Sequence, residues 1–564
     1  MPKKGFVFIF ILIISVAKAQ DIEQVIHNKP LNFSGGLNAS GTFYHSNAES
    51  FSRDPFFWTI NGNFNLSVYG VVDVPISFIL SKNNSSLGTN QEMFRQFGIS
   101  PKYRSITLHL GYRNMNFSPY TMSGITFLGA GVDYNPQNSW LQLKAFYGRF
   151  ASAKQYKTVS AYDPNALQDQ PVFERWGYGT MITAGKKNHS VDLILFKAND
   201  NKQSITVPDS LGIKPIENFI IGVSTKNRIT ENLHFNLDYS LSAYTTDTRQ
   251  PEIEQETYTY ANNLGFLFTP RSSSQFNHSI QSALEYTFNF ASLGVSYKRV
   301  DPQYQSLGIS FINNDIREFA ANIATSLFKN KLSLAGNFGS QVNNLDNSQL
   351  TTNKRFITSL NCTYMVNKNL NFTGSYANFN SNATPTQIQL VDSIKYTQSN
   401  SNFTFTSNYN FGAENRPQGV NFLTTYQQGN TLNQAGTNVT DITNSFWNSY
   451  LMYRLTFSPY LLSFTLSFNY STFETQSVNT TSTGPTLGIN KGFLDNKMSV
   501  SLNSSYLNTS SSTENSSLIN IRFFTNYKIN NHHTFKLGIT YLNKSSDIKS
   551  VNQFQGNIAY NYFL

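Results

Sequence analysis

Histidine and acidic side chains are the groups in this sequence that could support acid–base catalysis. The best placed pair is His234 and Asp238, which would share one face of a strand. Their spacing on a strand puts them about 13 Å apart, too far for the direct hydrogen bond that a catalytic His–Asp pair needs. His532 and His533 fall in a predicted short turn. We therefore expect no catalytic residues and no enzymatic activity.

Metal and cofactor chemistry lacks its usual residues as well. Cys362 is the only cysteine, which excludes an intrachain disulfide and a cysteine-based metal site. The sequence has no phosphate-binding glycine loop, no dinucleotide-binding glycine pattern and no H-E-x-x-H motif. We expect no cofactor and no metal ligands.

Two segments combine charged, aromatic and turn-forming residues without simple alternation. They are residues 111–124 and residues 297–308, the latter followed by 313–317. Either could fold inward and narrow a channel, with its charges setting selectivity, or could fill and brace a wide barrel. The candidate lumen or constriction residues are Arg113, Lys298, Arg299, Asp301, Asp315 and Arg317.

The elements that must position these residues are strands, because apolar and polar residues alternate along most of the chain. For example, Leu462, Phe464, Leu466, Phe468 and Tyr470 alternate with Ser, Thr and Asn. Strands of about ten to fourteen residues recur, long enough to cross a bilayer at a tilt. Strands of soluble β-sandwiches usually have about five to six residues. The pattern favours a transmembrane barrel over a sandwich.

The composition agrees with strands that face lipid on one side and water on the other. Only 13% of residues are charged and 15% are aromatic, whereas soluble domains have about 25% charged residues. Asn, Ser and Thr supply the polarity, as expected for a wet barrel interior. The net charge of +10 is spread along the chain without a basic run, which argues against a nucleic-acid partner.

The connections predict an all-β, transmembrane, antiparallel up-and-down barrel of about 26 strands, within a range of 22–26. Short turns such as 69–70, 329–331 and 458–459 alternate with longer Ser-, Thr- and Asn-rich segments, among them 248–277 and 429–440. Outer-membrane barrels have short periplasmic turns and longer external loops, so an even strand number places both termini in the periplasm.

The N-terminal residues resemble a secretory signal peptide. Lys3 and Lys4 precede an apolar run, and Ala17-Lys18-Ala19 has the small-x-small pattern of a cleavage site. We predict a signal peptide at 1–19, a short periplasmic segment at 20–30 and the outer-membrane barrel at 31–564. The segment 20–30 is too short for the plug domain of an energy-coupled transporter.

The whole predicted barrel resembles outer-membrane β-barrel proteins of the Bacteroidota. The resemblance is carried by Asn-, Tyr- and Phe-rich strands and by three segments, F-S-P-Y-x-x-S-G at 117–124, G-A-G-V-D-Y-N-P at 129–136 and Y-K-R-V-D-P-Q-Y-Q-S-L-G at 297–308. It implies a porin-like barrel in the cell outer membrane but no particular activity.

Two functions remain open from the sequence. The first is a passive channel whose polar lumen is partly filled by inward loops. The alternative is a non-transport membrane platform for a surface-exposed or secreted protein, or for an export or assembly machine. Outer-membrane lipids are partners in both cases, and the platform adds a protein partner at the cell surface or on the periplasmic side.

Overall fold

A computed structural model of the chain describes residues 29–48, 55–83, 94–137, 139–156, 171–186, 188–386, 394–435 and 438–564. The predicted signal peptide and most of the predicted periplasmic segment lie outside these ranges. Among the described residues, the transmembrane-length strands join into one antiparallel sheet that closes on itself. Twenty-six strands cross the barrel, one of them in two pieces, which confirms the predicted architecture.

The strands of the first half differ little in length, and most have nine to sixteen residues. They are β1 Leu31–Ser46, β2 Phe56–Val68, β3 Val72–Asn83, β4 Phe94–Ile99 with Lys102–Tyr103, β5 Ile106–Asn114, β6 Thr126–Tyr134, β7 Leu141–Ala151, β8 Arg175–Lys186, β9 His189–Asp200, β10 Glu217–Arg228, β11 Leu233–Thr245, β12 Ser274–Thr287 and β13 Ala291–Val300.

The second half contains the longest strands, which reach 20 residues. They are β14 Ile316–Leu327, β15 Leu332–Asn343, β16 Thr351–Met365, β17 Leu370–Pro385, β18 Ile394–Ala413, β19 Arg416–Ala435, β20 Asn438–Phe457, β21 Leu462–Glu474, β22 Asn479–Phe493, β23 Met498–Ser511, β24 Ser516–Lys528, β25 His533–Ser546 and β26 Ser550–Phe563.

The barrel closes where β1 pairs antiparallel with β26. The register runs from Gly36 opposite Phe563 to Ser46 opposite Gln553. The start of β1 and the end of β26 therefore lie at the same end of the barrel. A round barrel of this strand number would have a backbone diameter on the order of 50 Å, from a strand spacing of about 4.8 Å and a tilt of about 40°.

The connections at the two ends of the barrel differ, as predicted. Short turns lie at the end that holds the two termini, and the longer connections lie at the other end, which we call the loop end. Four 3-10 turns occur in the described connections: Asp209–Leu211, Thr259–Asn263, Gly265–Leu267 and Ser458–Tyr460. The predicted loop at 429–440 is wrong, because β19 continues to Ala435 and β20 begins at Asn438.

Each strand presents large apolar side chains on the outward face. Leu451 lies opposite Phe468, and Leu466 lies opposite Leu487. Their exposed fractions are 51, 52, 53 and 59%, so these side chains lack protein cover. Such a continuous apolar surface is expected to contact lipid. No helix among the described residues is long and apolar enough to cross a membrane.

One long connection folds back over the outward face. This covering loop (residues 246–273) joins β11 to β12. Its Phe268 is 1% exposed and packs with Phe219 and Ala243, whose side chains point away from the lumen. Tyr258 stacks on the ring of Phe276 with a centroid distance of 4.8 Å. The covering loop thus shields part of the outward wall from lipid.

Candidate functional site

Two connections fold into the barrel from the loop end. Inner segment 1 (residues 115–125) joins β5 to β6, and inner segment 2 (residues 301–315) joins β13 to β14. They meet in a short parallel pairing of Met122–Ser123 with Gly308–Ile309. Both lie largely within the segments whose residue types indicated inward folding, although their parallel pairing depends on the register of the barrel.

Hydrogen bonds join the two inner segments to each other. The Tyr304 Oη donates to the Tyr120 carbonyl oxygen at 2.8 Å, and the Ser306 Oγ donates to the Thr121 carbonyl oxygen at 2.6 Å. Burial raises the pKa of Tyr304 and of Tyr120 above the usual range of a phenol. Both hydroxyl groups therefore stay protonated and serve as donors across the physiological range.

Polar side chains of the lumen wall anchor the inner segments in place. The Tyr120 Oη donates to the Gln281 Oε1 at 2.6 Å. The Ser242 Oγ donates to the Gln305 carbonyl oxygen at 2.7 Å, and the Leu307 backbone N–H donates to the Asn218 Oδ1 at 3.1 Å. These anchors lie on β10, β11 and β12, so the inner segments are held against one side of the lumen.

An apolar cluster fills the space between the inner segments and this side of the wall. Met122, Phe127 and Ile220 are fully buried. The other members of the cluster are Met115, Phe146, Phe196 and Ala198, with Phe117, Phe150 and Leu307 packed against them. Burial of apolar side chains inside a barrel whose other lumen residues are polar stabilises the inward position of both segments.

Glycines of the wall give the inner segments room to pack. A Cβ at Gly131 would lie 2.7 Å from the Met115 Sδ, and a Cβ at Gly222 would lie 3.1 Å from the Thr121 Oγ1. The first distance is too short for an undisturbed contact, and the second is tight. The close approach of inner segment 1 therefore depends on glycine at these positions of β6 and β10.

Two of the six predicted lumen residues face the lumen. Arg113 extends its guanidinium to Ser77, and its Nη1 donates to the Ser77 Oγ at 2.6 Å. Lys298 lies directly opposite Glu318 on the lumen face. Hydrogen bonds extend this pair across the next two strands. The Gln341 Nε2 donates to Glu318 at 2.8 Å, and the Arg355 Nη1 donates to the Gln341 Oε1 at 3.2 Å.

The other four predicted residues do not face the lumen. Arg299 and Arg317 lie opposite each other on the outward face of β13 and β14. They follow Lys298 and Ile316, which point inward, and consecutive strand residues point to opposite faces. Asp301 accepts from the Arg299 Nε at 2.9 Å, so it belongs to the outward group.

Asp315 has a structural position at the end of inner segment 2. It is 6% exposed. Its carboxylate accepts from the backbone N–H groups of Asn344 and Leu345 at 2.9 and 2.8 Å, and from the Gln349 Nε2 at 2.6 Å. Asp315 therefore fixes the next connection, residues 344–350, rather than contributing charge to the lumen.

His234 and Asp238 share the lumen face of β11, as predicted, and do not form a pair. Asp238 instead accepts a hydrogen bond from Ser224. In the described ranges, no three His, Cys, Asp or Glu side chains come together in a group that could hold a metal ion.

Basic residues on the opposite side of the lumen were not among the predicted lumen residues. The lumen faces of β17 to β26, β1 and β2 form a continuous surface, which we call the uncovered wall because neither inner segment packs against it. Its charged residues are Arg454, Arg522, Lys528, Lys536 and Lys544. The signal was available, since each alternates in phase with the Asn, Ser and Thr residues of its strand.

Comparisons with known proteins find similarity to solved structures and none to a family model or a curated sequence. The P pilus usher (PapC) translocation pore aligns over 94% of this chain and 99% of its own, with 10% identity and a TM-score of 0.37. The outer membrane protein OprD from Pseudomonas aeruginosa aligns over 62% and 88%, with 12% identity and a TM-score of 0.32.

Pseudomonas aeruginosa OpdQ aligns over 67% of this chain and 98% of its own, with 11% identity and a TM-score of 0.33. At these scores the assignment of class rests on the geometry of the chain itself. A closed antiparallel wall, an apolar outward face and a polar interior define a transmembrane β-barrel. In its described ranges the chain is a closed antiparallel transmembrane β-barrel of 26 strands.

Proposed function

We propose that this barrel is a passive channel for small polar solutes. The observation that carries the proposal is the one-sided packing of the lumen. Inner segments 1 and 2 are anchored to β10, β11 and β12, and the uncovered wall keeps a surface rich in Asn, Ser and Thr. A hydrated passage beside the inner segments follows from this arrangement.

A groove lies where the uncovered wall meets β16. It has a volume of about 470 Å³, runs along β16 to β21, and is lined on its lumen side by amides such as Asn402 and Gln427 and by Phe379 and Phe446. Mixed amide and aromatic surfaces can contact polar organic solutes without holding them tightly. In a channel, weak binding of this kind permits both entry and release.

We propose further that the end with the short turns and both termini faces the periplasm. The longer connections and the extended β18, β19 and β20 would then project from the cell surface. This orientation follows the general asymmetry of outer-membrane barrels.

Single-channel recording of the purified full-length protein in a planar bilayer tests the channel. We expect a large, steady conductance that scales with salt concentration, because the passage is hydrated. Absence of conductance at every applied voltage, from a sample whose barrel is intact by circular dichroism, would refute it.

The platform remains the second candidate because of one element. Strands β18, β19 and β20 have 20 residues each, about twice the nine to eleven needed to cross a bilayer. The excess forms a three-stranded sheet that projects at the loop end and offers a surface to a protein partner. A partner that co-purifies with the wild-type barrel and is lost when this projection is shortened would favour the platform.

A further inference from the structure

The uncovered wall carries basic residues in an ordered row along the barrel axis. Lys544 lies near the loop end of β25, opposite Leu518, and Arg522 lies near the middle of β24, opposite Thr540. Lys536 lies opposite Asn526, and Lys528 lies opposite Thr534 near the short-turn end. We call these four residues the cationic track.

The track follows two neighbouring strands through the length of the barrel. Its first three levels are each four residues apart in the register, from Lys544 to the level of Thr540 and then to Lys536. Four residues of strand span about 13 Å. All four side chains are exposed on the lumen face, and none forms an ion pair within the described part of the chain.

The described strands of the uncovered wall carry no acidic residue on the lumen face. Arg454 is its one other charged residue on the lumen face of the described strands, which brings the basic residues to five and leaves the acidic residues at none. Asp441 and Glu474 are the nearest strand carboxylates in sequence, and their registers place both on the outward face.

The wall that carries the inner segments has a different charge pattern. On the described strands from β3 to β16, eight basic and seven acidic residues face the lumen, a net charge of +1 from 8 − 7. The basic residues are Lys102, Arg113, Lys144, Arg175, Lys226, Arg228, Lys298 and Arg355, and the acidic residues are Asp73, Asp133, Asp192, Asp200, Asp238, Glu285 and Glu318. Many of them are engaged, for example Arg175 with Asp200 at 2.7 Å.

We propose that the lumen conducts anions in preference to cations, and that the cationic track selects small solutes with carboxylate or phosphate groups. The proposal rests on the channel function proposed above and names its solute class. Charges lining one side of a passage raise the local concentration of counter-ions there. With a Debye length of about 8 Å at physiological salt, levels about 13 Å apart are largely screened from one another, so each level attracts anions at its own position along the passage.

The reversal potential of the wild-type channel across a KCl gradient measures this preference directly. We expect a chloride-to-potassium permeability ratio above one that grows as the salt is diluted, because screening weakens. The double variant R522Q/K536Q should reduce the excess of that ratio over one by roughly half, since it removes two of the four track charges.

The matched control is R317Q/K354Q, which removes two basic residues from the outward face of β14 and β16. It changes the net charge of the protein equally, so the permeability ratio should stay at the wild-type value. If both variants reduced the permeability ratio equally, the net charge of the protein rather than the cationic track would set the anion preference. A wild-type ratio at or below one would overturn the anion preference while leaving the channel intact.

Competition by inorganic phosphate and by a small dicarboxylate separates general anion preference from recognition of these groups. We expect millimolar phosphate or dicarboxylate to reduce the chloride current through the wild type and to have less effect on R522Q/K536Q. A conducting, anion-selective wild type that neither solute inhibits would overturn the assigned solute class. Absence of any conductance would overturn both this inference and the channel.

Discussion

Gly222 and its neighbours show how single residues determine where inner segment 1 lies. The Thr121 Oγ1 packs within 3.1 Å of the position that a Cβ at Gly222 would take, and the Ser240 Oγ is 3.2 Å from it. A side chain there would occupy the volume of the inner segment. The hydrogen bond between Thr121 and Ser240, at 3.3 Å, would break when the inner segment is displaced.

The variant G222L is expected to destabilise the packed position of inner segment 1 by about 1–3 kcal/mol, the usual cost of overpacking. Limited proteolysis should then cleave residues 115–125 faster than in the wild type. The control is G538L on the lumen face of β25, where a Cβ would meet no atom closer than 3.6 Å. Equal cleavage of G222L and the wild type would show that this packing does not hold the segment.

The predicted lumen residues show what the sequence could and could not reveal about single side chains. Lys298 and Arg299 are consecutive in one strand, so strand geometry alone forbids both from facing the lumen. Which of the two points inward requires the register around the closed barrel, and this register places Lys298 inside. Asp315 is separated from its partners Asn344 and Gln349 by a whole hairpin, so its role had no local signal.

At the level of elements, period-two alternation predicted the strands because each wall segment has one lipid face and one wet face. The same rule failed at 429–440. Residues of β19 and β20 beyond the bilayer no longer need an apolar face, so their Asn-, Gln- and Thr-rich sequence looks like a loop. The sequence predicted the covering loop as a long connection at 248–277 but not its packing, since Phe268 and Leu264 meet the outward wall only in the folded barrel.

The covering loop is held at its base by an ion-pair group. The Arg249 Nε donates to the Asp247 Oδ1 at 2.9 Å, and the Arg249 Nη1 donates to the Asp209 Oδ1 at 2.9 Å. Burial opposes ionisation of Asp247, and the hydrogen bonds from Arg249 outweigh it, so the pKa of Asp247 lies below its usual value of 3.8. Asp247 therefore stays ionised to a lower pH than an unperturbed aspartate.

This pKa shift predicts how acid affects the covering loop. A carboxyl group whose folded-state pKa is depressed contributes stability above its unfolded pKa and loses it as the pH falls through the folded value. The contribution should be complete at about pH 5 and be lost progressively below about pH 4. Cleavage of residues 246–273 by pepsin, compared between D247N and the wild type at each pH, measures it.

At about pH 5 the D247N variant should be cleaved faster than the wild type, and the difference between the two rates should narrow as the pH falls towards 2. The comparison at equal pH cancels the pH dependence of pepsin itself. Rates that already agree at pH 5 would contradict a stabilising role of the Asp247 carboxylate. A difference that does not narrow at all between pH 5 and pH 2 would contradict its dependence on ionisation.

For the whole molecule, the strand number determines the width of the lumen in which the inner segments lie. A barrel of 26 strands is wider than its side chains can fill. In this chain two connections of moderate length cover one side of the lumen through Met122, Tyr304 and their neighbours. The other side keeps polar lumen-face residues. In the proposed channel, the passage is bounded by the inner segments on one side and by the uncovered wall with its cationic track on the other.

Shortening inner segment 1 should therefore enlarge the passage. Replacing residues 116–124 by a short Gly/Ser turn removes Tyr120 and Met122, together with the contacts that they make to Tyr304 and Phe127. We expect a higher single-channel conductance, because a wider hydrated section conducts more ions. We also expect a weaker anion preference, because ions then pass farther from the track than a Debye length.

The control shortens the covering loop by the same number of residues, at 255–263. This connection lies on the outward face, where its Tyr258 and Phe268 contact Phe276, so its removal should leave both conductance and ion preference unchanged. If the inner-segment variant conducts like the wild type while its barrel is intact, inner segment 1 does not bound the passage. If its conductance rises and the anion preference stays, the cationic track acts without confinement by the inner segments, and the fixed charge of β24 and β25 alone sets the selectivity of the barrel.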